Sequence, residues 1–429
     1  MNLRRDANLI AKAALRAADP EEALLRHVRV TDGVLFAGKT RYRLDALRTI
    51  YVVGAGKACA PMARAIEKLL GKRIGESCVI VKDEHTLPLK RIKLREASHP
   101  VPDQRGVDAA ARIAEIAAKA GDGDLVICLM SGGGSALMPL PVEGFTLAEK
   151  QSITQQMLKA GANIHEMNAV RKHLSRIKGG QLARLAAPAK VLSLILSDVI
   201  GDDLSTIGSG PTAPDPTTLA TVDEIFGRFG LTLPRAMPRV ETPKPGDPLF
   251  KRVQNLIVGS NALSIDAAAA KARELGYKPL VLSTTIEGET RDVARMHIAI
   301  AREVQRARRP IAPPACLLSG GETTVALKGD GLGGRNQEFA LAAAIDLRET
   351  HGIFALSIGT DGTDGPTDAA GGCADATTVA RAEAKGHNAR KDLASNDSYH
   401  FLEAAGDLLK TGPTRTNVMD VRIVLVTAS

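Results

Sequence analysis

Short apolar runs alternate with alanine-rich helical stretches along almost the whole 429-residue chain, and no other feature constrains its fold as strongly. Each run is rich in Val, Ile and Leu and has the length of a strand rather than a helix. The candidate strands are Ile50–Val53, Cys78–Val81, Leu125–Met130, Val191–Leu196, Leu256–Val258, Leu280–Leu282, Cys316–Leu318, Val325–Leu327, Phe354–Ile358 and Val421–Val426. This alternation predicts an α/β protein with largely parallel sheets covered by helices.

Helical patterns fill the intervals between these strands. The candidate helices are Cys59–Leu70, Arg105–Ala120, Leu147–Leu158, His165–Leu185, Ala262–Leu275, Arg291–Arg306 and Asn336–Leu347. Two further short helices are predicted before Val28, with a break at Asp19-Pro20, because proline is favoured at the first helical position. The length predicts two domains. Eight of the 22 prolines fall between Pro211 and Pro248, which places the boundary in that stretch.

Polar, glycine-rich clusters directly follow many of the strands. They are Gly54–Lys57, Ser131–Ser135, Ser197–Asp203, Gly259–Asn261, Ser319–Glu322, Gly333–Glu338 and Gly359–Gly365. In open α/β sheets, ligands bind beyond the carboxyl ends of the strands, where glycine lets backbone N–H groups approach a phosphate. One such cluster indicates only a tight turn. Six or seven of them, drawn from both halves, favour a ligand-binding cleft between two domains.

Composition and charge argue against several classes of protein. No apolar run approaches the roughly 18 residues of a membrane span. The five cysteines and nine histidines show no CxxC, HxH or HExxH spacing. We therefore expect reduced core thiols in a cytoplasmic protein, with no disulfide framework or transition-metal site. Basic residues near the N-terminus would suit a mitochondrial presequence, but four acidic residues among the first 22 argue against one.

The net charge of +8 first suggests nucleic acid as a partner. However, only 3% of the residues are aromatic, and no recognised nucleic-acid-binding motif is present. The densest basic stretch lies between Arg171 and Lys190. A small anionic substrate explains it as well as a polyanion would, and a solvated helix face is the simpler alternative.

One segment matches the Walker A expression letter for letter, from Gly33 to Thr40. A P-loop must follow a strand and begin a helix. Here Asp32-Gly33 predicts a hairpin turn between two strands, and no helical pattern begins at Thr40. We therefore interpret the match as accidental.

Two other motifs are incomplete. The turn Gly54-Ala-Gly56 lacks the third glycine of a dinucleotide fingerprint, because Cys59 stands in its place and Lys57 adds a cation. The segment Gly133-Gly-Ser-Ala-Leu137 lacks the last glycine of a hydrolase nucleophile elbow. Both differences argue against the corresponding enzyme classes.

The remaining residues suit phosphoryl transfer. This reaction needs cations over the migrating group, backbone donors for phosphates, and carboxylates for Mg²⁺ and the attacking hydroxyl. Lys57 and Arg335 lie on two of the glycine-rich turns. Carboxylates lie on others, at Asp198, Asp202, Asp203, Glu322, Asp361 and Asp364. The inventory indicates a kinase rather than a hydride-transfer enzyme.

The same turns carry a resemblance to a known family. The relevant segments are Gly54–Ala58, Ser98–Asp103, Met130–Ala136, Asn168–Gly180, Leu196–Asp203, Gly208–Thr212, Ser319–Thr323, Gly333–Glu338 and Gly359–Gly365. With these motifs in order, the chain resembles the type II glycerate kinases, or glycerate 2-kinases, from roughly Ala7 to Val426. The resemblance includes the carboxy-terminal MOFRL domain of that family, and several ordered motifs are more specific than any single one.

The resemblance implies ATP-dependent phosphorylation of D-glycerate, generally to 2-phosphoglycerate, with Mg²⁺, in a cleft between two α/β domains. With the boundary placed by composition in the proline-rich stretch, we expect an N-terminal Rossmann-like domain over residues 1–240 and a C-terminal α/β domain with a mixed sheet over residues 241–429. The MOFRL region would cover about residues 312–420. The implied partners are glycerate and a nucleotide; we expect neither nucleic acid nor membrane, and an oligomer is compatible.

Two other functions stay open at this point. Members of the family have also been labelled hydroxypyruvate reductases, so an NAD(P)H-dependent reductase is the second hypothesis. A non-catalytic sugar-phosphate sensor is the third, because the Ser131–Ser135 turn alone would suit a phosphate-binding module.

Two residue roles follow from the family motifs, and the others are hypotheses from residue chemistry. The active-site lysine and arginine of the family fall on Lys57 and Arg335, which would stabilise charge on the transferring phosphoryl group. Asp198 is the third catalytic candidate, and Asp198 and Asp361 are the candidates for Mg²⁺. The predicted substrate and phosphate contacts are Gly56, Ser131, Gly132, Gly133, Gly134, Ser135, Arg171, Arg176, Asn261, Glu322 and Asn336. The two arginines are the candidates for the substrate carboxylate.

For several of these side chains, a structural explanation is simpler than the functional one. Turn or helix capping is the alternative for the carboxylates. A solvated helix face is the alternative for Arg171 and Arg176, and His99 would only order its loop.

Overall fold

The structure, a computed structural model, describes residues 2–231 and 239–428. The chain divides into two compact units. The N-terminal unit is Pro20–Val258, and the C-terminal unit joins the residues up to Asp19 to those from Gly259 onward. The division therefore falls after Val258 rather than at residue 240. Residues 232–238, inside the proline-rich stretch, lie outside the described residues.

The first helix belongs to the C-terminal unit because of its apolar face. Ala7, Ile10 and Ala14 are buried in one cluster with Ile265 and Ala268. The predicted domains are two consecutive segments of the chain, so they do not include this packing of the first helix on the C-terminal unit.

Helix ends follow ordinary capping chemistry. Asn2 caps the first helix by accepting the N–H of Arg5 at 3.0 Å, and the second helix begins at Pro20, as the sequence predicts. The helices are α1 (Leu3–Ala18), α2 (Pro20–His27), α3 (Cys59–Leu70), α4 (Gln104–Lys119), α5 (Gly134–Leu137), α6 (Leu147–Lys159), α7 (Ile164–His173), α8 (Gln181–Ala186), α9 (Leu219–Phe229), α10 (Asn261–Glu274), α11 (Thr290–Ala307), α12 (Arg335–Leu347), α13 (Thr378–Glu383), α14 (Ala389–Ala394) and α15 (Ser398–Ala405). Within the described ranges, no helix has both the length and the apolar character to cross a membrane.

The strands extend most of the predicted apolar runs by a few residues. They are β1 (Val28–Thr31), β2 (Val34–Ala37), β3 (Thr40–Arg43), β4 (Ile50–Ala55), β5 (Ile74–Lys82), β6 (Leu94–Ala97), β7 (Leu125–Met130), β8 (Lys190–Leu196), β9 (Val253–Gly259), β10 (Lys278–Ile286), β11 (Ala315–Gly321), β12 (Ile353–Gly359), β13 (Gly371–Ala374), β14 (Leu408–Leu409) and β15 (Asp420–Val426).

The N-terminal unit is built on one six-stranded sheet with the order β6-β5-β4-β7-β8-β9. The neighbouring pairs from β6 to β8 are all parallel. Counted from β4, the order is 3-2-1-4-5-6, that of doubly wound sheets. The direction of winding reverses between β4 and β7, and ligands of such sheets bind beyond the carboxyl ends of the strands at that point.

The segment that matches Walker A folds as a hairpin. Strands β1, β2 and β3 pair antiparallel, and Thr31 pairs with Val34 across a two-residue turn. Asp32 and Gly33 in this turn both have positive φ, 49° and 72°, as a tight hairpin requires. The structure confirms the predicted hairpin and excludes a P-loop here.

The C-terminal unit is built on a mixed sheet with the order β10-β11-β15-β12-β13-β14. Strands β10 and β11 are parallel, and the other neighbouring pairs are antiparallel. The predicted α/β fold with a mixed second sheet is therefore confirmed. The predicted strand Val325–Leu327 is wrong. Ala326 donates its N–H to Glu289 rather than to a strand, and Leu327 is 80% exposed.

The prediction of one continuous helix from His165 to Leu185 is also wrong. The chain forms α7 and α8 and leaves the helical path between them. Gly179 and Gly180 have φ of 56° and 80° in this connection, a conformation that glycine adopts without strain. Ser175 pairs instead with Pro141. The basic residues of this stretch therefore do not share one helix face.

Candidate functional site

Two glycine-rich turns meet where the winding of the N-terminal sheet reverses. One follows β4 and contains Lys57; the other is Ser131–Ser135, after β7. The N–H of Lys57 donates to the carbonyl of Gly132 at 2.9 Å, and the N–H of Ser131 donates to the carbonyl of Ala55 at 3.3 Å. The N–H of Ala58 donates to Ser131 Oγ at 3.0 Å. The turns therefore form one hydrogen-bonded surface at the carboxyl edge of the sheet.

Glycine is required at two points of this surface. A Cβ atom at Gly56 would overlap Ser131 Oγ, and a Cβ atom at Gly132 would overlap the carboxylate of Asp198. Among the described residues, neither Gly132 nor Gly133 has an acceptor for its backbone N–H. These two N–H groups are therefore free to donate to an oxyanion.

Lys57, Asp198 and His99 surround the second turn. A Cβ atom at Gly133 would lie 2.9 Å from the His99 ring and 3.3 Å from Lys57 Cγ. Burial raises the pKa of Asp198, and the nearby Lys57 opposes this rise. Burial and the positive charge of Lys57 lower the pKa of His99 to about 4, so its imidazole is neutral at pH 7. The structure thus brings Lys57 and Asp198 together and adds a neutral histidine.

The two predicted serines have protein partners. Ser131 is fully buried, and its hydroxyl joins the two turns. Ser135 Oγ lies 2.9 Å from Ser209 Oγ, and Lys178 Nζ donates to the Ser135 carbonyl at 2.8 Å. The hydroxyls therefore position the turn, whereas its glycines offer N–H groups.

A cavity of about 560 Å³ opens beside this turn, inside the N-terminal unit. Its lining residues are His99, Pro100, Val101, Pro102, Gly133, Ser135, Ala136, Pro139, Lys150, Gln151, Thr154, Gln155, Leu158, Arg171 and Lys178. Arg171 lies on the wall, as expected for a ligand-binding residue. Arg176 lies beyond the end of α7, is exposed and is not part of the lining. Helix α7 ends between the two arginines, so they do not share one helix, and their contact with the substrate carboxylate stays a prediction.

Arg335 begins α12 in the C-terminal unit and is held by two carboxylates. Its Nε and Nη2 donate to the two oxygens of Asp420 at 2.7 and 3.0 Å, and its Nη1 lies 2.9 Å from Glu322 Oε1. Asp420 is fully buried, while 31% of the Arg335 side chain is exposed. Burial alone would lower the pKa of Arg335, but the attraction of Asp420 raises it. The guanidinium is therefore fixed in place with one part accessible.

Asn336 and Asn261 hold the partner of Arg335 in position. Asn336 Nδ2 donates to Asp420 Oδ1 at 2.9 Å, and its Oδ1 accepts from Ser357 Oγ at 2.5 Å. Asn261 Nδ2 donates to the carbonyls of Val418 and Asp420 at 2.9 and 2.8 Å. Both asparagines are almost completely buried. Their amide nitrogens therefore position the Asp420 segment, and their predicted contact with substrate or phosphate stays a prediction.

The two acidic residues of the Gly359–Gly365 turn stabilise backbone. Asp361 Oδ1 accepts the N–H of Thr363 at 3.1 Å, the capping contact named as its alternative. Asp364 caps α12 by accepting the N–H groups of Asn336 and Gln337, and burial raises its pKa to about 6. Within the described part of the chain, no group of three or more His, Cys, Asp or Glu side chains is placed to hold a metal ion.

Sequence reasoning missed Lys150, Lys178 and Asp420 as site residues. A signal for Lys150 was present, because it shares the helical spacing of Ile153 and Met157 on the buried face of α6. A signal for Asp420 was present, because Arg422 interrupts the apolar run Val421–Val426, and a charge in a buried strand needs a partner. Arg422 Nη2 indeed donates to Asp420 Oδ2 at 3.2 Å.

Comparisons with known proteins give consistent results over the whole chain. A family model described as "Domain of unknown function (DUF4147)" matches residues 6–241, and the model of the MOFRL family matches residues 315–420. The chain is 40% identical to a protein of Thermotoga maritima named "D-glycerate 2-kinase", over 99% of both chains. It is 44% identical to a "Putative hydroxypyruvate reductase" of Agrobacterium vitis, over 87% of this chain and 86% of that one. A crystal structure of a Thermotoga maritima glycerate kinase superimposes with a TM-score of 0.90, at 38% identity and 99% coverage of both chains.

Proposed function

Since the chain belongs to the family of glycerate 2-kinases with a carboxy-terminal MOFRL domain, we propose that it transfers the γ-phosphoryl group of ATP to D-glycerate and releases 2-phosphoglycerate. The observation that carries this proposal is the 40% identity to a D-glycerate 2-kinase along 99% of both chains. Every glycine-rich turn that the resemblance singled out lies inside that match.

The N-terminal unit supplies a phosphate-binding surface and a cation. The free N–H groups of Gly132 and Gly133 are donors for phosphate oxygens, and Lys57 lies beside them. Phosphoryl transfer passes through a loose transition state whose charge is spread over the equatorial oxygens, so fixed donors and cations carry most of the catalysis. Lys57 stabilises that charge in the proposed mechanism.

Asp198 supplies the carboxylate of this surface. Its position beside Lys57 and the Gly132 backbone suits a group that orients the acceptor hydroxyl and takes up its proton. Because burial raises its pKa, it is a better proton acceptor than an ordinary aspartate.

Arg335 is the second cation of the proposed mechanism, from the C-terminal unit. Its bidentate contact with buried Asp420 fixes the guanidinium before substrate arrives. Charge that is already fixed stabilises a transition state without reorganisation during the reaction. Its action on the same phosphoryl group as Lys57 stays a prediction.

Mg²⁺ enters this proposal as part of the substrate, MgATP. This ion is usually bound by one or two carboxylates together with substrate phosphates and waters, rather than by a cage of protein ligands. For Asp198, the single carboxylate beside the phosphate-binding turn, Mg²⁺ binding is the alternative to the role of proton acceptor. All five cysteines are buried, and we propose the cytoplasm as the location of the enzyme.

The reductase named among the relatives is the second candidate. In this chain, Cys59 fills the place of the third fingerprint glycine and is fully buried at the start of α3. Lys57 adds a cation to the same turn. Both features disfavour a nicotinamide dinucleotide at this turn, so the kinase is the better-supported function.

One assay separates the two. The purified full-length protein is mixed with ATP, Mg²⁺ and D-glycerate, and ADP is measured; in parallel, NADH or NADPH is mixed with hydroxypyruvate. We expect ADP formation that depends on D-glycerate and no oxidation of the nicotinamide. Rapid, stoichiometric NAD(P)H oxidation without ATP would overturn the kinase proposal.

A further inference from the structure

The cavity beside the Ser131–Ser135 turn is lined by basic side chains without acidic ones among its described lining residues. Three cations line it: Lys150 from α6, Arg171 from α7 and Lys178 from the segment between α7 and α8. None of its described lining residues is Asp or Glu. The remaining titratable group on the wall is His99, which is neutral at pH 7. Like charges in one cavity repel each other, so the protein alone does not balance this site.

Lys150 is the clearest sign that a ligand is missing. Its side chain is only 7% exposed, and its Nζ has no hydrogen-bond acceptor among the described residues. A buried ammonium without a partner is costly, and such groups are normally paired or hydrogen-bonded. Burial and the charge of Arg171 lower the pKa of Lys150 to about 7. The charged form is therefore destabilised until an anion arrives.

Lys178 reinforces this charge imbalance. It is fully buried, and the acceptors of its Nζ are the carbonyl and hydroxyl of Ser135, which are neutral. Its pKa is lowered well below the ordinary value by burial and by the two neighbouring cations. A nearby lysine shows the contrast, because the equally buried Lys172 donates to the carboxylate of Asp215 at 3.2 Å. Lys172 therefore has a carboxylate partner, whereas Lys150 and Lys178, which line the cavity, have none.

We propose that this cavity binds an oxyanion group of a substrate, with Lys150, Arg171 and Lys178 as its cationic ligands. The proposal rests on the proposed function for the identity of the anion, because both the phosphates of ATP and the carboxylate of glycerate carry this chemistry. The volume of about 560 Å³ suits a small-molecule site. Ser135 connects the cavity to the phosphate-binding turn through its contacts with Lys178.

Binding is linked to a proton. An anion favours the charged form of Lys150, so binding near pH 8 takes up a proton that the empty cavity has released. Affinity should therefore weaken as pH rises through about 7, the pKa of Lys150 in the empty cavity. Burial and the two neighbouring cations also lower the pKa of Lys178, so an anion favours its charged form as well, whereas Arg171 stays charged and His99 stays neutral throughout this range.

The test uses Lys150→Met, which keeps the length of the side chain and removes its charge. Lys159→Met is the matched control, because Lys159 lies on the same helix and is exposed. Isothermal calorimetry on the full-length proteins measures binding of ATP, sodium pyrophosphate and D-glycerate. We expect Lys150→Met to weaken at least one of them by roughly tenfold or more and Lys159→Met to leave all three unchanged. Loss confined to ATP and pyrophosphate assigns the cavity to the nucleotide, and loss confined to glycerate assigns it to the acceptor.

Thermal melts exclude a purely structural role. Removing an unpaired buried ammonium should leave the melting temperature of the empty protein unchanged or raise it. A melting temperature lowered by several degrees, with every affinity intact, would overturn the proposal. So would a wild-type protein that binds none of the three probes. If pyrophosphate binds through Lys150 but D-glycerate is not phosphorylated, the cavity assignment stands and the proposed function fails.

Discussion

The contrast between Arg335 and its partner Asp420 gives the sharpest prediction for the C-terminal unit. Arg335→Ala removes two hydrogen bonds to Asp420 and one ion pair with Glu322. Asp420 keeps Asn336 Nδ2 at 2.9 Å and Arg422 Nη2 at 3.2 Å. The buried carboxylate is therefore not left unpaired. We expect the variant to lose only about 1.5–3 kcal/mol of stability, the scale of one net hydrogen bond to a charged group.

The activity of this variant should fall much further. Fixed cations over a transferring phosphoryl group typically contribute about 3 kcal/mol to the transition state, or roughly 10²-fold in kcat. We expect Arg335→Ala to lower kcat by at least this factor while the protein stays folded. Arg348→Ala is the matched control, because Arg348 makes a surface ion pair with Glu383 in the same unit.

Asp420→Asn should lower stability more than Arg335→Ala does and lower kcat less. It removes the negative charge between two guanidinium groups, and Arg422 is only 1% exposed. Breaking a buried ion pair by removing one partner costs about 3–5 kcal/mol. We therefore expect a larger fall in melting temperature than for Arg335→Ala, with a smaller direct effect on kcat of the molecules that remain folded.

Melting curves and steady-state kinetics on the three variants check this ordering. The reasoning is refuted if Arg335→Ala melts as low as Asp420→Asn and the kcat of its folded fraction is normal. In that case Arg335 would hold the fold together rather than act on the reaction.

The remaining predictions concern the N-terminal unit. Lys57→Ala should lower kcat by roughly 10²-fold or more with little change in either KM; near-normal kcat in a coupled assay would remove Lys57 from the mechanism. Because burial raises the pKa of Asp198, its reactive carboxylate is lost as pH falls through a value above that of an ordinary aspartate. The kcat–pH profile should show that acid limb, and Asp198→Asn should abolish it together with most activity; an unchanged profile in the variant would contradict the assignment. Arg171→Ala should raise the KM of one substrate by about tenfold, on the scale of one charged contact, whereas Arg176→Ala, which changes an exposed side chain outside the cavity, should not. Equal effects of the two arginine variants would contradict this distinction between Arg171 and Arg176.

Much of the fold is encoded in local apolar pattern. Buried strands such as β7 and β8 consist almost entirely of apolar residues, and the sequence locates them to within one residue. Strands β6 and β13 escape this pattern because one reads Leu-Arg-Glu-Ala and the other Gly-Gly-Cys-Ala. Pairing with β5 and β12 defines them, and the residues of a strand do not by themselves show which strand they pair with.

The site was predictable where backbone chemistry decides it. Glycine-rich turns after strands indicate phosphate contact wherever the fold brings them together, as it does for the turns at Lys57 and Ser131–Ser135. The sequence is less informative about what each side chain contacts. The spacing of Lys150 with Ile153 and Met157 puts it on the buried face of α6, unlike Lys159, but this spacing does not show that the face borders a cavity. Asn336 and Asn261 looked like ligands because they lie on such turns, yet their amides hold Asp420 and the strand that follows.

The most direct test of the central claim is identification of the reaction product by NMR. The full-length protein is incubated with ATP, Mg²⁺ and D-glycerate, and the coupling of phosphorus to the carbon-bound protons shows which hydroxyl has been phosphorylated. The proposal predicts 2-phosphoglycerate formed in equal amount to ADP. Formation of 3-phosphoglycerate would contradict the proposed regiochemistry, and the absence of any phosphorylated glycerate from a folded, nucleotide-binding protein would contradict the assignment as a glycerate kinase.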